Sequence, residues 1–289
     1  MERIPWRTME SSIRTALQHL WMPQGVFDMG GEARMIDPQR KDVNGMNREE
    51  LVIELRRIGL QPGMEIEVHS SLRSLGDVEG GAETVVDALM ECVGQGGSIF
   101  MPALRLSLPE ELSADDRRMG ITQKLRILPE DAARTGMGAV ADAFRLRPDV
   151  MTGKGVIRTS GWGLHAEEAA RGGLDYVIRH GGKALLLGVD IYKLTAMHYM
   201  EDILPTEISA IFAPAKEVEA VYPPDKWFIE TGEPPVRAWY TIQRMAYERG
   251  VIREGTIGSC KAMFFDIMDV VGIYREELER DPFGLYGLR

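Results

Sequence analysis

The sequence has only two cysteines, Cys92 and Cys260, among 289 residues. Two isolated thiols form neither a disulfide framework nor a metal-binding pair motif, and such scarcity predicts a reducing, cytoplasmic setting. No apolar run approaches the roughly 18 residues that a membrane span requires. The longest, Ala184 to Val189, is the length of a strand. The opening MERIPWRTMESSIRTALQHL lacks the continuous apolar stretch of a signal peptide. Positive charge is also in deficit: 34 Lys and Arg against 44 Asp and Glu give a net charge of -10. A non-specific nucleic-acid binder needs the opposite sign, whereas an acidic cleft concentrates cations. The five histidines show neither HExxH nor HxH spacing, so no metal centre is expected. GxGxxG, GxxxxGK[ST] and GxSxG are all missing, which removes the usual dinucleotide, P-loop and hydrolase fingerprints.

What is present reads as a globular enzyme-sized body with an appendage. Residues 1–45 form an extension, with an amphipathic helix expected over Glu10 to Trp21. A Gly-, Pro- and Asp-rich arm follows, placed over the body or a partner subunit. The body is residues 46–289. Asn47 and Glu50 have the spacing of a capping box, and Leu51, Leu55 and Ile58 give a helical face closed by Gly59. Met64, Ile66 and Val68 alternate with Glu65, Glu67 and His69, the period of a strand. A helix over Ala82 to Val93 and a strand over Ser98 to Met101 come next. Residues 103–134 read as a charged surface excursion, and 153–163 as a Gly-rich stretch. Helices are expected through Phe144, from Ala166, near Thr195, over Arg237 to Arg249 and over Lys261 to Glu279. The non-alternating run Lys183 to Gly188 reads as a strand buried on both faces, and Ile208 to Phe212 as another strand. Strands and helices alternate, so the fold class is α/β, a central mixed sheet flanked by helices.

Three segments could carry chemistry. In the first, His69-Ser70-Ser71-Leu72-Arg73-Ser74-Leu75-Gly76, a strand ends, hydroxyl residues follow and a helix starts. Such a turn presents N–H and hydroxyl donors with a positive charge to an anion, or the serines merely cap the turn. In the second, His198 and Glu201 are three apart after Thr195, so a carboxylate can stabilise an imidazolium formed when His198 takes a proton. A solvated surface pair has the same spacing. In the third, Gly161 and Gly163 flank Trp162 before His165 and Glu168. That pattern suits either close approach to a ligand or a core tryptophan beside an exposed histidine. His69, His165, His198 and Glu201 are too scattered to specify a zinc site.

The block GLQPGMEIEVHSSLRSLGDVEGGAETVVDALMECVGQGGSIFMPAL resembles the N-terminal part of the aminoglycoside 3-N-acetyltransferase family, which is distinct from the GNAT acetyltransferases. The resemblance continues through TGMG, WGLHAE, GGKALLLGV and TAMHYME, in order, over roughly residues 45–289. It implies the antibiotic N-acetyltransferase-like fold. It also implies transfer of acetyl from acetyl-CoA to an amine, commonly the 3-amino group of a 2-deoxystreptamine aminoglycoside. By this resemblance His69, Ser70, Ser71, Leu72, Arg73, Ser74 and Gly76 bind the cofactor. His198 is the general base, Glu201 its acidic support and Thr195 the residue opening that helix. Trp162, His165 and Asp190 fall to the acceptor side. The expected partner is a small, cationic amine, with a homodimer for the assembly and no nucleic acid, membrane or metal. The family's RSxHPxxS stretch is replaced by Met151 to Arg158, and its Ser-Pro before GGK by Asp175 to His180. Both departures lie on the acceptor side. An amine other than an aminoglycoside, or CoA binding without catalysis, are the alternative readings. Glu110, Glu111, Asp115 and Asp116 read as either a cation-attracting group or a solvated loop.

Overall fold

The computed structural model describes residues 45–231 and 236–288. The expected N-terminal arm and its Glu10–Trp21 helix lie outside them. The first helix, α1 (Arg48–Ile58), starts with the expected capping box: Glu50 N–H donates to Asn47 Oδ1 at 3.0 Å and Asn47 N–H to Glu50 Oε2 at 2.9 Å. It leads into β1 (Glu65–Ser70), the middle strand of a seven-stranded sheet.

The sheet also contains β2 (Ser98–Pro102), β4 (Met151–Thr152), β5 (Thr159–Gly163), β6 (Lys183–Leu187), β8 (Arg253–Ile257) and β9 (Cys260–Asp266). Their order is β4-β5-β2-β1-β6-β9-β8. β1 pairs in parallel with both β2 and β6, and the remaining pairings are antiparallel. Parallel neighbours need a crossover, and α2 (Gly81–Val93) supplies the one from β1 to β2. Its face of Val85, Val86, Leu89 and Val93 is fully buried against one side of the sheet, with Ile66, Val68, Ile99, Leu185 and Leu187. On the opposite side Phe100, Ala184, Leu186, Met263 and Phe265 meet α3 (Val236–Glu248) and α4 (Ile267–Arg280), with Trp239 and Tyr274 inside. A small second sheet pairs β3 (Ile121–Arg126) with β7 (Trp227–Thr231) in antiparallel fashion.

Four local expectations are corrected. Lys261 to Glu279 is not one helix: Cys260–Asp266 is β9, buried between β6 and β8, and only Ile267 onward is helical. Pairing on both edges overrides the helical spacing of Met263, Phe264 and Ile267. Ile208 to Phe212 belongs to a helix, Thr206–Phe212, in which the Pro205 carbonyl accepts from the N–H groups of Ile208 and Ser209. The Gly-rich stretch 153–163 contains β5, where Gly161 lets a crossing helix approach. A Cβ there would lie 2.9 Å from Ala169 Cβ. The 103–134 excursion contains β3 and the helix Ala114–Arg118. Asp116, fully buried, takes hydrogen bonds from Lys124 Nζ at 2.7 Å and from the Tyr222 hydroxyl. Burial works against its charge, but Lys124 and Tyr222 hold its carboxyl well below the usual range. Glu110 pairs with Arg126 and Asp115 with Arg118, so these acids are committed to local ion pairs.

Leu185 lies between β1 and β9 with no exposed surface. Leu185→Ala is expected to lower unfolding stability by about 2–5 kcal/mol, since a central-sheet cavity collapses poorly; chemical denaturation checks it.

Candidate active-site cleft

Because β1, β2 and β6 run parallel, their C-terminal ends lie together, and in open α/β sheets ligands bind at such an edge. Here β1 ends at Ser70, and a one-turn helix, Leu72–Leu75, begins at once. Ser71 is its N-cap: its Oγ accepts from Ser74 N–H at 3.3 Å and from Ser74 Oγ–H at 2.8 Å. Its own N–H donates to Leu187 O at 2.8 Å, tying the turn to the end of β6. Gly76 leaves the helix at φ +88, and Gly188 leaves β6 at φ +67, conformations that side chains with a Cβ rarely adopt. A Cβ on Gly188 would approach Ser74 Cβ to 2.3 Å, so the two segments are packed as closely as backbone allows.

This turn forms one wall of a cleft of about 710 Å³. His69, Ser70, Ser71, Leu72, Arg73, Ser74 and Gly76, the whole set expected to bind the cofactor, line it together. Pro102, Leu108, Gly136, Met137, Gly138 and Lys193 are among the other lining residues. A second cavity of about 540 Å³ shares Ser74, Gly188 and Val189 with the first and adds Asp190, Gln243, Cys260 and Lys261. Asp190 is fixed there by the Tyr240 hydroxyl at 2.7 Å and by Tyr192 N–H at 3.2 Å. Burial and this bond hold the Tyr240 hydroxyl above its ordinary value.

Thr195 and His198 lie on a 3₁₀ helix, Thr195–Ile203, in place of the expected α-helix. With three residues per turn, residues three apart eclipse, so Thr195 and His198 share one edge. Position 201 is next in that register, but the Glu201 side chain lies outside the described residues. Thr195 meets the cleft through His69: its backbone nitrogen lies 3.3 Å from His69 Nε2 and its Oγ1 3.5 Å away. The His198 ring packs edge-on against Trp239, centroids 4.9 Å apart. Burial pushes its imidazole down to about 3; nearby Glu67 opposes this and His69 adds to it. His198 is therefore neutral at physiological pH, the state that accepts a proton.

The structure does not bring Trp162 and His165 to this cleft. Trp162 is buried in the sheet core, its indole N–H donating to Asp149 at 2.8 Å. His165 follows the far end of β5, with Nδ1 2.6 Å from Oε1 of Glu65, the first residue of β1. Four residues of strand, about 13 Å, separate Glu65 from His69. Arg158 is turned away as well, donating to Ala103 O and Glu130 O.

Two groups at the site are not singled out by sequence patterns. Lys193 lines the cleft, its ammonium pushed down to about 8 by burial while Asp190 and Glu230 oppose the fall. A lone lysine three residues after an aspartate carries no signal of its own. Glu67 is fully buried, with Oε1 2.6 Å from His69 Nε2. Its signal is an acid two residues before the histidine, on the same face of the strand.

The family model for aminoglycoside 3-N-acetyltransferases matches residues 68–279, well over half of the chain. The chain belongs to that family. Among aminoglycoside 3-N-acetyltransferases it is 30% identical to aminoglycoside N(3)-acetyltransferase III of Serratia marcescens over 262 residues, 80% of this chain and 97% of the relative. The aminoglycoside N(3')-acetyltransferase-like protein YokD of Bacillus subtilis is 28% identical over 55% of this chain and 65% of its own length. The crystal structure of aminoglycoside acetyltransferase AAC(3)-IIb superposes with a TM-score of 0.61 at 26% identity, covering 82% of this chain and 98% of that one. As a member of this aminoglycoside 3-N-acetyltransferase family the chain is an acyltransferase with the family's mixed α/β fold. Among the described residues no helix is long and apolar enough to cross a membrane.

The depressed His198 value sets an acid dependence. The unfolded imidazole takes a proton near 6.5, the folded one only near 3, so between these values the unfolded chain binds more protons. Stability contributed by neutral His198 is therefore complete above pH 6.5 and falls as pH drops toward 3. In His198→Gln that share of the fall should vanish. Urea midpoints at pH 7 and pH 4.5 measure it, and equal drops in both proteins would contradict the assignment.

Proposed function

We propose that this chain is an acetyl-CoA-dependent N-acetyltransferase whose acceptor is a small cationic amine, a 2-deoxystreptamine aminoglycoside foremost. The observation that carries this reading is the joint lining of one cleft by His69, Ser70, Ser71, Leu72, Arg73, Ser74 and Gly76. These are the family's CoA-binding positions, and their hydroxyls, exposed Arg73 and the nearby Lys193 suit a pyrophosphate-bearing ligand. One solved relative of the same fold is described as binary with CoASH, and another as bound to sisomicin.

The ammonium of an acceptor must lose a proton before its nitrogen can attack a thioester. In this reading neutral His198 takes that proton, Glu201 supports the imidazolium, and Thr195 sets the start of their helix. Backbone N–H groups stabilise the oxyanion, and acetyl passes directly within the ternary complex, with no covalent enzyme intermediate. Asp190 is the acid nearest the second cavity and suits the acceptor's remaining ammonium groups. The protein works in the cytoplasm, as a homodimer, without a metal.

Thiol release from acetyl-CoA, run with a panel of 2-deoxystreptamine aminoglycosides and other amines, tests the reaction. Amine-dependent release is expected, and His198→Ala should lower kcat by about 10²–10⁴-fold. Undiminished release in that variant would reassign the base. Release with no amine, despite CoA binding, would overturn the transferase reading. Arg73→Ala is expected to weaken CoA binding by about tenfold and to flatten its salt dependence, as calorimetry at two ionic strengths would show.

A further inference from the structure

Glu67 is the least expected group in the sheet. It occupies the middle of the central strand with no exposed surface, and its register partners are Phe100 on β2 and Ala184 on β6. Nothing about that apolar setting calls for a carboxylate, and burying one is costly unless it is paired. One oxygen has a partner: Oε1 lies 2.6 Å from His69 Nε2. The other, Oε2, is buried without a hydrogen bond among the described residues. His69 in turn lines the cleft, and its Nδ1 makes no hydrogen bond among the described residues. The pair is therefore a carboxylate behind an imidazole that lines the cleft and whose second nitrogen has no hydrogen-bond partner among the described residues, an arrangement that fixes the ring's orientation and tautomer. Among the described residues His69 is the one imidazole in the cleft lining, and Arg73 beside it does not give up its proton.

We propose that Glu67 and His69 form a second proton-handling dyad, in which His69 protonates the departing sulfur and Glu67 is its positioning residue. The inference rests on the acetyl-transfer reading and adds the step which that reading leaves open. An acceptor ammonium sheds two protons in becoming an amide, one to His198 before attack and one to solvent once the N–C bond has formed. The C–S bond breaks with its electron pair on sulfur, and that thiolate takes one proton from His69 Nδ1. His69 stays hydrogen-bonded through Nε2–H to Glu67 and is recharged by the proton that His198 holds. One proton leaves to solvent per turnover, and the thiol carries the other. The location fits, since His69 opens the segment assigned to CoA and lines the cleft, while His198 packs against Trp239.

The test compares wild type with Glu67→Gln, which keeps shape and removes charge, and with Glu67→Leu, which suits the apolar surroundings. Both should lower kcat for amine-dependent thiol release by about 10²-fold. The Kd for CoA should stay within about threefold, and Glu67→Leu should melt no lower than wild type, because an apolar replacement relieves a buried carboxylate. Proton NMR of the resting protein should show a strongly downfield imidazole N–H resonance that disappears in Glu67→Gln, a signature independent of turnover. Unchanged kcat in either variant, a loss of kcat matched by a loss of CoA affinity, or no such resonance in the wild type would each overturn the dyad. Absence of turnover in the wild type itself, with CoA still bound, would instead bring down the transferase reading and the dyad's step with it.

Discussion

Parallel pairing of β1 with β2 on one side and β6 on the other is the constraint from which the cleft arises. Three strands that share a direction must end at the same edge, so the turn after Ser70, the loop after Pro102 and the loop after Leu187 converge. The Ser71 N–H bond to Leu187 O fixes that convergence, and Gly188 allows it without a side chain in the way. The reactive positions are supplied by loops and a 3₁₀ helix at this edge, while both faces of the sheet are filled with apolar side chains. Rigidity thus comes from the strands, and chemistry from the turns and loops at their ends.

Where the sequence was legible, local patterns and tertiary demands agreed. The Asn47–Glu50 cap, the face of α2 and the buried run in β6 each needed nothing beyond their own residues to be recognised. The misreadings share a cause. Met263, Phe264 and Ile267 have helical spacing, but their segment is flanked by two strands, and ladder bonds on both edges outweigh the periodicity. The chain at 121–126 has no pattern of its own because its partner, Trp227–Thr231, is remote in sequence.

The candidate site divides in the same way. The cleft-lining segment His69 to Gly76 is contiguous, so resemblance over a few residues located it. Glu67 was visible as a letter but not as a buried group. Alternation of Glu65, Ile66, Glu67 and Val68 ordinarily marks a sheet with one wet face, yet here helices cover both. The acids and His69 therefore form a polar stripe inside the protein, Glu65 joined to His165 at one end and Glu67 to His69 at the other. Only the position of the strand within the sheet makes that stripe meaningful.

The β3–β7 pairing has a consequence for how the molecule comes into being. Residues on either side of β3, Leu108 and Gly136 to Gly138, line the cleft, but β3, though held to the 106–110 segment, has no partner strand until Trp227–Thr231 has been synthesised. The wall is thus closed by a contact between segments far apart along the chain, and such contacts form slowly because a large loop must be ordered first. A ribosome-bound chain that had released β1 through β6 could already assemble the floor of the cleft, yet would lack the strand that steadies its outer wall. Competence to enclose a ligand waits until Trp227–Thr231 has been made.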